Sequence, residues 1–355
     1  MGNEIKYNKN LPSTNCKLIQ NRHVNKKIIY ENGISMIFIS EIDEEEIIFV
    51  AYGFGCLKIY DCQCLYEIND FCFSSQILNL FLFPIRRIIK IKNRLFLIST
   101  LNLVKLVSLV KNNSGNYLIS ESIDFLIEKP SSQIIHLIKL DNKNIIILYR
   151  QSYIQIYKHK NEENFENEVL LKNYYELEST INLNNTLENY DMIEINNNKI
   201  AYINEEYLAI FSLETKQIIS IFNFKLIKYT DDILRRITNE IICVGINNIL
   251  YFISSSLGIV IGNVILPNTY RIVGMGDLTD NNIILATVKE IMNENLKEIN
   301  LIQVHYTDEN NIKKLNVGIN SVLKFEEKGL GNIFIKELKN KKITMSSLNN
   351  FYILN

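Results

Sequence analysis

The chain has no tryptophan and only 4 histidines and 4 prolines among its 355 residues. Each shortage removes a class of reading. The histidines, His23, His136, His159 and His305, have no Cys, Asp or Ser companion at a spacing that suggests a triad or a metal site. His136 and His305 lie inside apolar strand patterns and read as structural. Glycine is also scarce, at 13, and no G-x-S-x-G, P-loop or G-x-G-x-x-G context occurs. The pairs Gly53-x-Gly55 and Gly274-x-Gly276 read as turn and strand-end features, without the following helix that phosphate binding requires. The expectation is a chain with no catalytic residue, no cofactor and no metal.

Charge of one sign is lacking as well. Lys and Arg number 38 against 39 Asp and Glu, a net of −1. No global field draws the chain to nucleic acid or to an anionic membrane. The basic clusters Lys26-Lys27 and Lys339 to Lys342 are short and lie near turns, so no nucleic-acid partner is expected. No apolar run reaches the roughly 18 to 20 residues of a membrane-spanning helix, so no transmembrane segment is expected. The first residues, MGNEIKYNKN, have no apolar core of the kind a secretory signal carries. Lys6 also stands where a myristoylation signal wants Ser or Thr. The expected location is cytoplasmic or nuclear, and the six cysteines (Cys16, Cys56, Cys62, Cys64, Cys72 and Cys243) are then thiols.

What is abundant is β-forming residues, within a hydrophobic content of 47%. The best-formed unit runs from Gly33 to Asp70 and divides into strands at Ser35 to Ser40, Ile47 to Tyr52, Cys56 to Asp61 and Cys64 to Ile68. Its separators are the acidic run Glu41 to Glu46, read as a turn that cannot be buried, and Gly53-Phe54-Gly55. Ile47 to Tyr52 is apolar throughout, which predicts a strand covered on both faces.

Later segments repeat the strand order. The second copy opens with Ile77 to Phe83 and holds five segments, and the third ends with Glu168 to Leu171. The last copy has three strands only. Third-strand positions Tyr60, Leu106, Tyr157, Phe211, Phe252, Val304 and Ile353 recur every roughly 40 to 55 residues, the spacing of propeller blades. An orphan strand within Cys16 to Tyr30 would complete the truncated last copy and close the ring. The predicted fold is therefore all-β, a single seven-bladed β-propeller closed by an N-terminal strand completing the last blade. Residues 15–355 form it, residues 1–14 are a disordered tail, and six or eight blades are the alternative counts.

The third-strand endings Lys58-Ile59-Tyr60-Asp61 and Gln155-Ile156-Tyr157, with this repeat length and closure, resemble the WD40-repeat β-propellers over about residues 15 to 355. The family's Trp-Asp dipeptide appears only as Tyr60-Asp61, and no Gly-His opens a blade. The resemblance implies a non-catalytic protein–protein interaction scaffold, a subunit of a larger intracellular complex. In that architecture the turns between second and third strands share one rim with the blade-to-blade joints, here Asn173 to Tyr190 and the loop Lys289 to Lys297. Tyr52, Phe54, Arg150 and Tyr153 fall on that rim and are residue types that anchor interfaces.

The adjacent arginines Arg86-Arg87 and Arg235-Arg236 carry the alternative. Phosphoinositide-binding propellers of the autophagy type hold phosphate with an Arg-Arg-Gly loop. Resemblance to them implies a lipid-binding role and peripheral membrane contact. Here Ile88 and Ile237 follow the pairs, and neighbouring residues in a strand face opposite ways. The plainer expectation is that these arginines line solvated blade edges.

Overall fold

The computed structural model describes residues 17–18, 24–29, 33–53, 55–61, 83–113, 117–125, 132–150, 153–160, 175–183, 189–196, 198–224, 233–278, 282–290, 296–308, 315–328, 333–347 and 349–354. The expected tail at residues 1–14, the strand Cys64 to Ile68 and Cys16, Cys62, Cys64 and Cys72 lie outside them. Every regular element described is a strand, and the contacts divide the chain into two compact units, Tyr30–Met192 and Met1–Ile29 with Ile193–Asn355.

The strands begin with β1 (Lys17–Leu18) and β2 (Val24–Ile29), followed by a sheet of β3 (Ile34–Ile42), β4 (Glu45–Tyr52) and β5 (Cys56–Asp61). The second sheet holds β6 (Arg87–Lys92), β7 (Leu95–Ser99), β8 (Val104–Lys111) and β9 (Tyr117–Asp124). The third holds β10 (Ile134–Lys139), β11 (Ile145–Tyr149), β12 (Tyr153–His159) and β13 (Tyr175–Asn182). The fourth holds β14 (Asn189–Asn196), β15 (Lys199–Asn204), β16 (Tyr207–Ser212) and β17 (Gln217–Asn223). The fifth is β18 (Leu234–Arg236), β19 (Ile241–Ile246), β20 (Ile249–Ser254) and β21 (Ile259–Ile265). The sixth is β22 (Arg271–Leu278), β23 (Asn282–Glu290), β24 (Leu296–Asp308) and β25 (Leu315–Lys328). The last is β26 (Phe334–Glu337), β27 (Ile343–Ser347) and β28 (Asn350–Leu354).

The expected closure is present. β2 pairs antiparallel with β28, from Val24 opposite Leu354 to Ile29 opposite Asn350, and completes the seventh sheet. Besides this, β1 adds to the outer edge of β25 in parallel, with Lys17 opposite Asn320. Second strands are buried along their whole length in the second, third, fifth and seventh sheets, as expected of strands covered on both faces.

Four expectations need correction. The acidic run is not a long solvated turn: β3 continues to Ile42 and β4 starts at Glu45, around a two-residue turn at Asp43 and Glu44 with φ of 49° and 69°. Ile42 is fully buried. The run can enter strands because its acids meet cations of the next sheet, with Arg94 Nε donating to both Asp43 oxygens (2.9 and 2.7 Å) and Lys111 Nζ to Glu45 (2.7 Å). Secondly, Phe83 is an exposed bend rather than the end of a strand; the rest of that expected strand, residues 77–82, lies outside the described residues, among which the second sheet has four strands.

Thirdly, the fourth strand of the third sheet is β13, not Glu168 to Leu171, which lies outside the described residues. β13 reads YELESTIN, the mixed pattern of a half-wet strand, and a search for apolar runs passes over it. Lastly, the strand expected to end at Gly276 runs on to Leu278, so Gly274 and Gly276 both lie inside β22 rather than at its end. A Cβ on them would stand 2.4 Å from the Ile333 carbonyl oxygen and 2.7 Å from that of Ile335, so the backbone of the next sheet occupies the space a side chain would need.

Lysines join neighbouring first strands in the unit Tyr30–Met192. Lys90 Nζ donates to the Glu41 carbonyl, and Lys139 Nζ, 49 positions further on, donates to the carbonyls of Lys90 (3.3 Å) and Ile91 (2.7 Å). Burial holds the Lys139 amine below its ordinary pKa, and the charges of Lys143 and Lys90 add to this.

Candidate functional site

The turn between β4 and β5 is built by its glycines. Gly53 and Gly55 have φ of 54° and 73°, conformations that a side chain disfavours, and Gly53 N donates to the Gly33 carbonyl at 2.9 Å. Tyr52 and Cys56 face each other across this turn. Burial, and then the neighbouring Cys56, push the Tyr52 hydroxyl above its ordinary pKa. Phe54 lies outside the described residues.

At the matching turn of the third sheet, Tyr149 ends β11 and Tyr153 begins β12; residues 151–152 lie outside the described residues. The rings of Tyr149 and Tyr153 stack at 4.2 Å with 15° between their planes. Tyr149 is buried and Tyr153 half-exposed, so one ring fixes the other at the surface. Arg150 is tied down beside them, its Nη1 donating to Gln133 Oε1 at 2.9 Å and its backbone N to the Gln133 carbonyl at 2.8 Å.

Below this turn the aromatic row continues. Tyr149 and Tyr157 both donate to Gln155 Oε1, at 2.7 and 3.1 Å. Tyr157 packs on Phe125 at 5.1 Å, and Phe125 on Tyr175 at 5.8 Å. Burial raises the Tyr149 phenol strongly and pushes Tyr157 up to about 12. Arg150 and Tyr153 thus flank one turn of the third sheet, each held by its own partner, and Tyr52 lies at the equivalent turn of the first sheet.

The arginine pairs are not solvated edges. Arg87, 6% exposed, opens β6 and places Nη2 3.8 Å from Asp191 Oδ1. The same oxygen lies 2.9 Å from His136 Nε2. These three residues come from the first strands of three successive sheets, β6, β10 and β14, and His136 and Asp191 are 7% and 1% exposed. Arg235, 7% exposed in β18, donates to the carbonyls of Leu234 (2.6 Å) and Met275 and has Nε 3.7 Å from Asp277. Arg236 reaches Glu194 at 3.8 Å and Asn239 Oδ1 at 2.5 Å. Arg86 is half-buried, and its carbonyl accepts from Arg87 Nη1 at 3.0 Å.

These charged side chains enter first strands because they find an opposite charge or a carbonyl on another first strand. Sequence reasoning passed over Asp191, a single acid near the start of an apolar strand. A signal was available: His136 follows Arg87 at the same 49-residue offset that separates Lys139 from Lys90. Equivalent positions of successive repeats thus carry polar groups.

Two thiols are described. Cys243 is buried, which raises its pKa and leaves it unreactive; Cys56 is half-buried, and neither is in a disulfide. Among the described residues no group of three His, Cys, Asp or Glu could hold a metal ion, and no helix is long and apolar enough to cross a membrane.

No protein-family model matches the chain, and no curated protein matches it in sequence. Solved structures do match: 716 chains share the fold, too many for the fold alone to select a function. One of them, from "Crystal Structure of Mitotic Checkpoint Complex", aligns with a TM-score of 0.60 over 99% of this chain and 98% of its own length, at 8% identity. An identity that low speaks for the fold alone, and the seven sheets described above are the blades of a seven-bladed β-propeller.

Proposed function

We propose that the protein is a non-catalytic interaction scaffold that binds partner proteins through one rim of the propeller, as a subunit of a larger assembly. The observation that carries this reading is the Tyr149–Tyr153 stack with Arg150 beside it. An aromatic ring and a guanidinium held in place before binding lose little conformational freedom on contact, and Tyr and Arg are the residue types that dominate interface energetics. Tyr52 at the equivalent turn of the first sheet extends the same rim. The similar solved chain comes from a crystal structure of the mitotic checkpoint complex, which agrees with this reading.

The arginine pairs give the lipid-binding alternative no support of this kind, since Arg87 and Arg235 spend their guanidinium groups on buried partners. Affinity purification of the tagged chain from its native cells tests the proposal. A stoichiometric set of partner proteins is the expected result. Recovery of the chain alone, bound to vesicles rich in anionic lipid, would overturn it.

A further inference from the structure

Outer strands of a sheet carry a row of unpaired backbone groups, and proteins guard such edges with charges, bulges or covering segments. In this chain the guards differ from sheet to sheet. β9 carries Glu121 and Asp124, β13 carries Glu176 and Glu178, and β25 is covered by β1. β17, reading QIISIFN, and β21, reading IVIGNVI, have no charged residue at all. Among the described residues no strand lies beyond either of them. Both neighbour each other, since a Cβ on Gly258, just before β21, would stand 2.8 Å from Ser220 of β17. Together they expose Ile219 (48%), Ile221 (49%), Leu257 (55%) and Ile259 (50%).

A register shift between third and fourth strands recurs in five sheets, at Ser108/Leu109, Ile156/Tyr157, Ile210/Phe211, Phe252/Ile253 and Leu301/Ile302. It does not exclude a further strand. β1 pairs with Asn320 and Ser321, directly beside the shift in β25. The equivalent edge of β17 is therefore competent to accept one.

β17 is self-complementary about Ser220. Run antiparallel against itself, it sets Gln217 opposite Asn223, Ile218 opposite Phe222, Ile219 opposite Ile221 and Ser220 opposite Ser220. Its exposed residues are Gln217, Ile219, Ile221 and Asn223. They therefore meet as amide with amide and isoleucine with isoleucine, the pattern of a two-fold interface. A net charge of −1 opposes no such approach. We infer that the occupant of this edge is a second copy of the chain, paired β17 to β17 about a dyad through Ser220. The contact is a single pair of strands with flanking aliphatics, so it belongs to the small, weak class of interfaces, under about 1,200 Å² in total.

Sedimentation equilibrium of the full chain from dilute to concentrated solution tests the inference. The expected result is a mass that rises toward twice the monomer. The double variant Ile219→Lys plus Ile221→Lys, which sets like charges opposite each other, is expected to weaken association by about tenfold or more at unchanged circular dichroism. Independently of that variant's folding, Ser220→Cys is expected to form a disulfide-linked dimer on mild oxidation, and Gln217→Cys is not, because its opposite residue is Asn223. A wild-type chain that stays monomeric at every concentration overturns the inference. So does a Ser220→Cys chain that cross-links no more than the wild type.

Discussion

In the fourth sheet, β14 keeps Asp191 at 1% exposure, whereas β17 leaves Ile219 and Ile221 about half in solvent. In this sheet the first strand holds charge where water is excluded, and the fourth holds aliphatic surface where water has access. The contrast follows from neighbours. First strands such as β6 and β10 pack on each other, so Arg87, His136 and Asp191 can meet across three sheets. Among the described residues β17 has a strand neighbour on one edge only, and its outward residues are open to association. Stability is thus expected to concentrate in first strands and the contacts between sheets, and recognition at the turns and outer edges.

Removing the acid from the first-strand cluster is the strongest way to break this comparison. Asp191→Ala leaves Arg87 and His136 buried without their shared carboxylate and is expected to cost about 3–5 kcal/mol. Urea denaturation followed by circular dichroism measures it, and a loss below 1 kcal/mol would place the cluster outside the core energetics. Next in size is Gly274→Ala, expected to cost about 1–3 kcal/mol by pushing on the Ile333 carbonyl; an unchanged unfolding midpoint would show that β22 and the following sheet separate easily.

A smaller effect concerns the aromatic row of the third sheet. The folded Tyr157 phenol titrates at about 12, above the value of about 10 expected for an unfolded chain. Between these values the unfolded chain gives up a proton that the folded chain keeps. The stability due to this group is therefore full below pH ~10 and falls away as pH rises toward ~12. Tyr157→Phe is expected to flatten that decline, and stability curves of equal slope for the two proteins would contradict it. At the bottom of the scale, Ile221→Thr on the outer edge is expected to move stability by no more than about 0.5 kcal/mol. A loss of 2 kcal/mol there would mean that the outer edge belongs to the core.

The architecture was legible because a blade's second strand must be apolar on both faces: Ile47 to Tyr52 announced neighbours on each side. The missing strand of the last copy and the orphan near Val24 likewise explained each other, and the register of β2 on β28 shows that they pair. What the sequence concealed were places where a tertiary partner reverses a local preference. Glu41 to Glu46 looked too acidic to enter strands until Arg94 and Lys111 were placed beside it. Arg87 and Arg235 looked solvated because a lone arginine in a strand usually is, and their partners Asp191 and Asp277 lie far along the chain. Gly274 and Gly276 looked like strand-end residues because no local pattern reveals that another sheet's backbone approaches them. At the rim, the turns bearing Tyr52, Arg150 and Tyr153 could be aligned from the repeats, but the stacking of Tyr153 on Tyr149 depends on side-chain geometry that spacing does not specify.

The most direct test of the proposed role is to purify the triple variant Tyr52→Ala, Arg150→Ala, Tyr153→Ala beside the wild type from the same native cells, with the unfolding midpoint of each measured in parallel. The account predicts loss of the partner set from the variant at a midpoint within a few degrees of the wild type. Retention of the same partners by a folded triple variant would contradict it.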